Sequence, residues 1–118
     1  MAFHTNLPIY KKASELLALA LLIHEQMRRG LKRTLGDKIV SHCTEMVDSM
    51  AMANASRNAE RAGYLRNILM HIRAATVLLR AGLELRAVSV SAWTSSVEML
   101  DSIGKQANGW LKNTVPAA

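Results

Sequence analysis

Basic side chains are the groups of this sequence best placed to do chemistry, because 15 Lys and Arg oppose 9 Asp and Glu and give a net charge of +6. A basic surface attracts polyanions. One group occupies a short segment in which only Asp37 opposes it: Arg28, Arg29, Lys32, Arg33 and Lys38. For this corner cluster we favour contact with a phosphate backbone. The alternative is that the excess charge only keeps the protein in solution.

A second basic group repeats every seven residues at Arg66, Arg73 and Arg80. At about 100° per residue, this spacing places the three side chains along one edge of a helix. Arginine pairs with phosphates through two parallel hydrogen bonds, and a row of arginines can follow a nucleic-acid backbone. For this arginine row we favour a solvated face, or pairs between subunits with Glu45, Asp48 or Glu98, and keep nucleic-acid contact as the alternative.

The histidines and the single cysteine do not match a metal or catalytic motif. His24, His42 and His71 lack the Glu-x-x-His spacing of di-iron bundles, and the chain has no Cys-x-x-Cys or His-Glu-x-x-His pattern. We interpret His24 as a hydrogen-bonded histidine of the core or an interface, and Cys43 as a small buried hydrophobe. No glycine-rich phosphate loop, zinc finger or helix-turn-helix signature is present. We therefore expect no enzyme activity, no cofactor and no metal, and any binding to DNA or RNA should ignore base sequence.

Four amphipathic helices must position these residues. The 118 residues suit a single domain, 1–118, with a core of aliphatic side chains and methionine. Gly30 is a candidate stop signal for the first helix. The predicted helices span 8–29, 32–55, 59–85 and 90–113. Their length and short connections predict an all-α, antiparallel, up-down-up-down four-helix bundle.

Apolar spacing predicts the core face of each helix. The first helix contributes Tyr10, Ala13, Leu17, Ala20, Leu21, His24 and Met27. The second contributes Leu35, Ile39, Cys43, Met46, Met50 and Ala53. The third contributes Leu65, Ile68, Leu69, Ile72, Thr76, Leu79 and Leu83. The fourth contributes Trp93, Val97, Leu100, Ile103, Ala107 and Trp110. Gly36 costs its helix up to about 1 kcal/mol against Ala, which indicates a close backbone approach or a later helix start.

Two helices carry more apolar surface than one bundle can bury. The segment 16–23 is apolar all round, and the third helix has a second apolar strip on the side away from its core face. Such helices are usually buried twice, so we predict a homo-oligomer. The alternative is a few scattered exposed hydrophobes, which monomers tolerate. The predicted interface residues are Leu19, Leu22, Met70, Ala74, Val77 and Ala81.

The remaining sequence features concern location. The longest apolar run, 16–23, is far shorter than the roughly 20 residues that span a bilayer. The N-terminal segment has no basic region before an apolar stretch, so we expect no signal peptide. The single cysteine is typical of a reducing compartment. We therefore predict a cytoplasmic protein without a membrane partner.

Two segments resemble a known family. The segment 33–39, Arg-Thr-Leu-Gly-Asp-Lys-Ile, resembles the Thr-Leu-Gly-x-x-Ile start of the second helix in small bacterial four-helix-bundle proteins. These include proteins encoded in intervening sequences of large-subunit ribosomal RNA genes and the accessory variability determinants of diversity-generating retroelements. The segment 103–112 looks like the Ile/Val-Gly-Arg/Lys…Gly/Ser-Trp-Ile/Leu ending of the accessory determinants.

The resemblance implies a positively charged, five-fold ring that binds DNA and RNA with little sequence preference and docks a reverse transcriptase. It implies structural roles for Thr34, Leu35, Gly36, Ile39, Gly104, Gly109 and Trp110. Trp110 would anchor the end of the last helix, and Gly104 and Gly109 would allow close helix contact. The sequence thus predicts a homo-oligomer that binds nucleic acid, and the resemblance implies a homopentamer that assists a reverse transcriptase or RNA-processing partner. The alternative is a protein–protein scaffold that binds no nucleic acid.

Overall fold

The computed structural model of the protein describes residues 7–114 as helices joined by short turns. The elements are α1 (Pro8–Gln26), α2 (Arg29–Leu31), a π-helical segment (Lys32–Gly36), α3 (Asp37–Ala55), α4 (Asn58–Glu84) and α5 (Val90–Thr114). Because α2, the π-helical segment and α3 follow one another without a break, they form one continuous second helix. The prediction of an all-α fold with four packed helices is confirmed for the described residues.

The first turn differs from the prediction. Helix α1 ends at Gln26, before Gly30, and the second helix begins at Arg29. Met27 and Arg28 are extended between them, with ψ angles of 147° and 151°. Met27 is buried, so this turn stays fixed to the core. The prediction that Gly30 ends the first helix is therefore wrong, since Gly30 lies in the first turn of the second.

Each helix packs against two neighbours around the core. Helix α1 contacts α3 and α5, and α4 also contacts α3 and α5. Helices α1 and α4 therefore occupy opposite corners of the bundle. The largest fully buried side chains are Leu16, Ile39, Met46, Met50, Leu65, Ile68, Leu79 and Ile103.

One end of the bundle joins the corner between α1 and the second helix to the α4–α5 turn. Gly82 lies so close to Leu35 and Val88 that a Cβ at this position would be 3.3 Å from Leu35 Cδ2 and 2.5 Å from Val88 Cγ2. The turn after α4 bonds back to the helix through Ala87 N–H to Gly82 O, 2.8 Å, and Arg86 N–H to Leu83 O, 3.1 Å. This pair of bonds is a Schellman motif, and its left-handed residue is Arg86, with φ of 59°.

The other end is held by Arg61 of α4. Its Nε–H donates to the carbonyl of Ala53 near the end of α3, 2.8 Å away. Its guanidinium lies over the ring of Trp110, 5.4 Å from the ring centroid. One side chain thus satisfies a terminal carbonyl of α3 and ties α4 to the last turns of α5.

The predicted core faces agree with the structure best in the second helix. Its whole stripe is buried: Leu35, Ile39, Cys43, Met46, Met50 and Ala53. In α1 the stripe is displaced, because Ile9, Leu16 and Ile23 are buried and Leu21 is 50% exposed. In α5 Val97 is exposed, and the adjacent Ser96 is buried with its hydroxyl donating to Ala92 O at 2.7 Å. The core assignments of Leu21 and Val97 are therefore wrong.

Gly36 lies where α1 and the second helix approach each other. A Cβ at Gly36 would be 2.6 Å from His24 Cδ2 and 3.0 Å from Met27 Sδ, so a side chain does not fit. This confirms the close backbone approach. The alternative of a helix start later than residue 32 is wrong, because the second helix begins at Arg29. The Thr34 hydroxyl of the π-helical segment donates to Gly30 O in α2 at 3.1 Å. Across residues 7–114, no helix has the length and apolar character that crossing a membrane requires.

Candidate nucleic-acid interface

The corner cluster is solvent-facing and has no acidic partner within residues 7–114. Arg28, Arg29, Arg33 and Lys38 are exposed and Lys32 is half-buried. The acidic residue of this segment, Asp37, accepts a hydrogen bond from His24 Nε2 at 2.7 Å instead of pairing with a cluster base. The cluster therefore presents five cationic groups, none of which forms an ion pair within the described residues.

The bundle brings a sixth base to this end. Arg86 is exposed in the α4–α5 turn, and the end of α4 just before this turn packs on the second helix, where Gly82 lies close to Leu35. We call the corner cluster together with Arg86 the basic end. Arg86 is far from the cluster in the sequence and follows no spacing rule with it, so sequence reasoning missed it. Arg86 and the corner cluster lie at the same end of the bundle because α4 packs on the second helix, which is a tertiary contact.

The arginine row is exposed along its length but is not uniform. Arg80 Nε lies 3.4 Å from Glu84 Oε1, and its guanidinium lies 5.8 Å from the ring centroid of Trp93. Arg66 and Arg73 form no ion pair within the described part of the chain. Two arginines of the row are therefore available to an external anion, and the third is already engaged.

The predicted interface residues divide into two exposed strips. On α4, Met70 is 49% and Val77 is 68% exposed. On α1, Leu22 is 56% exposed, and Leu21 belongs with it although it was assigned to the core. Leu19 is half-buried and packs partly against its own core. Ala74 and Ala81 are half-buried between the exposed residues of α4.

The residues singled out by the family resemblance have mixed environments. Leu35, Gly36 and Ile39 are buried, and Trp110 contacts the core and Arg61. Gly104 and Gly109 differ from the expectation. A Cβ at Gly104 would be 3.8 Å from Ile72 Cδ1, which is ordinary contact, and a Cβ at Gly109 would meet nothing within 4 Å. Within one chain, the expected close helix contact at these glycines is wrong.

A histidine pair joins α3 to α4. His42 Nδ1 and His71 Nδ1 lie 2.9 Å apart, with ring centroids 5.1 Å apart, and both side chains are half-buried. Burial lowers the pKa of His42, a positive charge on His71 lowers it further, and Glu45 opposes both effects. Sequence reasoning treated each histidine separately and missed the pair, because the register of α3 against α4 is not visible in the spacing.

The other two candidate reactive groups, the Cys43 thiol and the His24 ring, are held in packed or hydrogen-bonded positions. Cys43 is buried, and burial raises the pKa of its thiol to about 12, as expected for a small core hydrophobe. His24 has its hydrogen-bond partner in Asp37. The described residues contain no group of three or more His, Cys, Asp or Glu side chains arranged to hold a metal.

Comparisons of the chain with protein-family models, with curated proteins and with solved structures give no match. The resemblance of the segments 33–39 and 103–112 to the bundle family therefore stays a prediction from the sequence.

Proposed function

We propose that the protein is a non-enzymatic homo-oligomer that binds the backbone of DNA or RNA through its basic end, without sequence preference. The observation that carries this proposal is that Arg28, Arg29 and Arg33 are exposed and form no ion pair within residues 7–114, while the nearby Asp37 is already bonded to His24. Unpaired guanidinium groups keep their full capacity for phosphate. Each phosphate they neutralise releases a counterion, which makes binding strongly salt-dependent.

Contact with the backbone fits the placement of the aromatic rings. Base stacking on single strands needs free aromatic faces. Trp93 and Trp110 each lie under an arginine of the same chain, so one face of each ring is already covered. The basic end itself carries no aromatic side chain. Phosphate contacts position a nucleic acid but do not read bases, so binding should be indifferent to sequence.

A ring is the assembly that the apolar strips favour. The strips on α1 and α4 lie at opposite corners and differ in sequence, so the simplest interface joins the α1 strip of one copy to the α4 strip of the next. Such a heterologous contact generates a closed ring when its rotation closes. Five subunits and an antiparallel order of helices are what the family resemblance implies. The turns grouped at each end of the bundle support the antiparallel order.

The partners and location proposed from the sequence fit this account. A ring repeats the basic end in every copy, which concentrates positive potential and attracts a long polyanion. In the cytoplasm, such a ring would assist an enzyme that acts on nucleic acid, and the resemblance indicates a reverse transcriptase or an RNA-processing partner.

The test is replacement of Arg28, Arg29, Lys32 and Arg33 by Ala. The matched control replaces four exposed bases outside the basic end: Lys11, Arg57, Lys105 and Lys112. Both variants change the net charge from +6 to +2. Fluorescence anisotropy with a duplex DNA and a single-stranded RNA, read at several salt concentrations, should show weaker binding and a flatter salt slope for the first variant only. Equal losses in both variants would remove the basic end from the account.

A protein–protein scaffold is the second candidate, favoured by the exposed Leu22, Met70 and Val77. The scaffold is also a homo-oligomer, but its positive charge has no function in binding. Absence of any nucleic-acid binding by the unmodified protein at micromolar concentration and physiological salt would support the scaffold.

A further inference from the structure

The contact between His42 and His71 has a geometry that a metal ion can use. Imidazole nitrogens are the commonest protein ligands for Zn²⁺ and related divalent ions. Here two such nitrogens, both Nδ1, come from different helices and lie 2.9 Å apart. We propose that His42 and His71 form a binding site for a divalent transition-metal ion, with Zn²⁺ as its probe, that links α3 to α4.

The spacing of the two nitrogens is close to what a shared metal requires. At Zn–N distances of about 2.0–2.1 Å, two ligands at a tetrahedral angle lie about 3.3 Å apart. His42 and His71 need to separate by only about 0.4 Å to reach that spacing. The rings are tilted by 49° and are not stacked, so a small rotation of each ring opens the gap.

The position and charge of the pair also favour a cation. Both rings are half-buried at the surface between α3 and α4, so an ion and its water ligands can enter. Glu45 follows His42 by three residues on α3, and its carboxylate favours positive charge at the His42 ring. Because residues 7–114 provide no third preformed ligand, waters complete the coordination and the ion exchanges freely.

Metal binding also sets the position of the proton that the two rings share. A histidine binds a metal only through a neutral ring nitrogen. In the hydrogen-bonded pair one Nδ1–H donates to the other Nδ1. Metal binding requires that proton to move to Nε2, so that both Nδ1 lone pairs face the ion.

In the experiment, Zn²⁺ is added stepwise to the chelator-treated full chain. The midpoint of thermal unfolding, Tm, is measured at each Zn²⁺ concentration. An ion that binds only the folded protein raises Tm, and each tenfold increase in free Zn²⁺ above the dissociation constant should add roughly 4–8 °C. His42→Gln and His71→Gln should each abolish this rise. The other two histidines provide matched controls, so His4→Gln and His24→Gln should keep it. Mg²⁺, which prefers oxygen ligands, should give no rise.

A second measurement keeps the proposal testable if a variant fails to fold. In NMR spectra of the unmodified protein, Zn²⁺ should shift the ring signals of His42 and His71 together. No rise in Tm, a rise that survives both His42→Gln and His71→Gln, or ring shifts confined to the other two histidines would overturn the proposal.

Discussion

Gly36 packs directly against the imidazole of His24, leaving no room for even one more carbon. The Cβ of an alanine at position 36 would lie 2.6 Å from His24 Cδ2. The ring cannot simply turn away, because its Nε2 is held by Asp37, the residue next to Gly36. The close approach of α1 to the second helix thus depends on a glycine, and the same contact keeps Asp37 away from the bases of the corner cluster.

Gly36→Ala should therefore destabilise the protein although alanine is the better helix former. Overpacking typically costs about 1–3 kcal/mol, which exceeds the roughly 1 kcal/mol gained in helix propensity. Gly63 is the matched control, because it is exposed within α4 and a Cβ there meets nothing within 4 Å. Gly63→Ala should stabilise by about 0.5–1 kcal/mol. Urea unfolding measures the free energy of unfolding of both variants. Equal effects of the two substitutions would show that His24 and Met27 move aside for the Cβ at no energetic cost.

Arg86 lies in a backbone conformation that suits glycine. Its φ of 59° puts it in the left-handed region at the end of α4, where a residue with a Cβ pays a steric penalty. Arg86→Gly should raise the free energy of unfolding by roughly 1 kcal/mol, because the relieved strain of about 1–2 kcal/mol exceeds the entropic cost of glycine of about 0.5–1 kcal/mol. Arg86→Ala removes the same charge but keeps the Cβ, so it should bring no such gain. A gain in the alanine variant would assign the effect to charge rather than to backbone conformation.

Stability should fall in mild acid through His42. Its pKa is lowered in the folded state from the ordinary 6.5, chiefly by burial and then by the charge of His71. The unfolded chain therefore binds more protons just below pH 6.5, and stability decreases as pH falls from 6.5 toward the lowered pKa. Above pH 6.5 this contribution is fully present. In chelator-treated protein, His42→Gln should flatten the dependence of urea stability on pH in that window, and a dependence equal to that of the unmodified protein would contradict the assignment.

The two apolar strips predict how variants altered in one strip each behave when they are mixed. Leu22→Glu disables the strip on α1 and Val77→Glu disables the strip on α4, so each variant alone should lose the ring. In a heterologous assembly each variant keeps the strip that the other lacks. An equimolar mixture should then form a single interface and a dimer of about 26 kDa, or 2 × 13.0 kDa. Light scattering of the mixture checks this. A mixture that remains monomeric would favour an interface between two copies of the same strip.

The sequence predicts the second helix well because polar residues separate its buried positions. Cys43 and Met46 are separated by the polar residues Thr44 and Glu45, so the pattern fits only one phase. In α1 the apolar run 16–23 fits several phases equally, and Leu21 was therefore placed in the core although it is half exposed. The helix type and number follow from periodicity, but the exact face of a uniformly apolar segment does not.

The candidate site was only partly predictable for a related reason. The corner cluster is local in sequence and could be recognised directly. Arg86 and the pair of His42 with His71 depend on which helices touch and at what register. Gly30 shows the limit of local signals, since a residue that commonly ends helices here lies in the first turn of one. Tertiary packing of the buried Met27 decides where that turn falls.

Native mass in solution tests the account most directly, because Leu22, Met70 and Val77 are exposed in the single chain and must be covered if the copies assemble. Light scattering coupled to size exclusion should give a mass several times the 13.0 kDa of one chain, and about 65 kDa, or 5 × 13.0 kDa, for the five-fold ring. A stable species of 13.0 kDa at high protein concentration would contradict the ring and the repeated basic surface that depends on it.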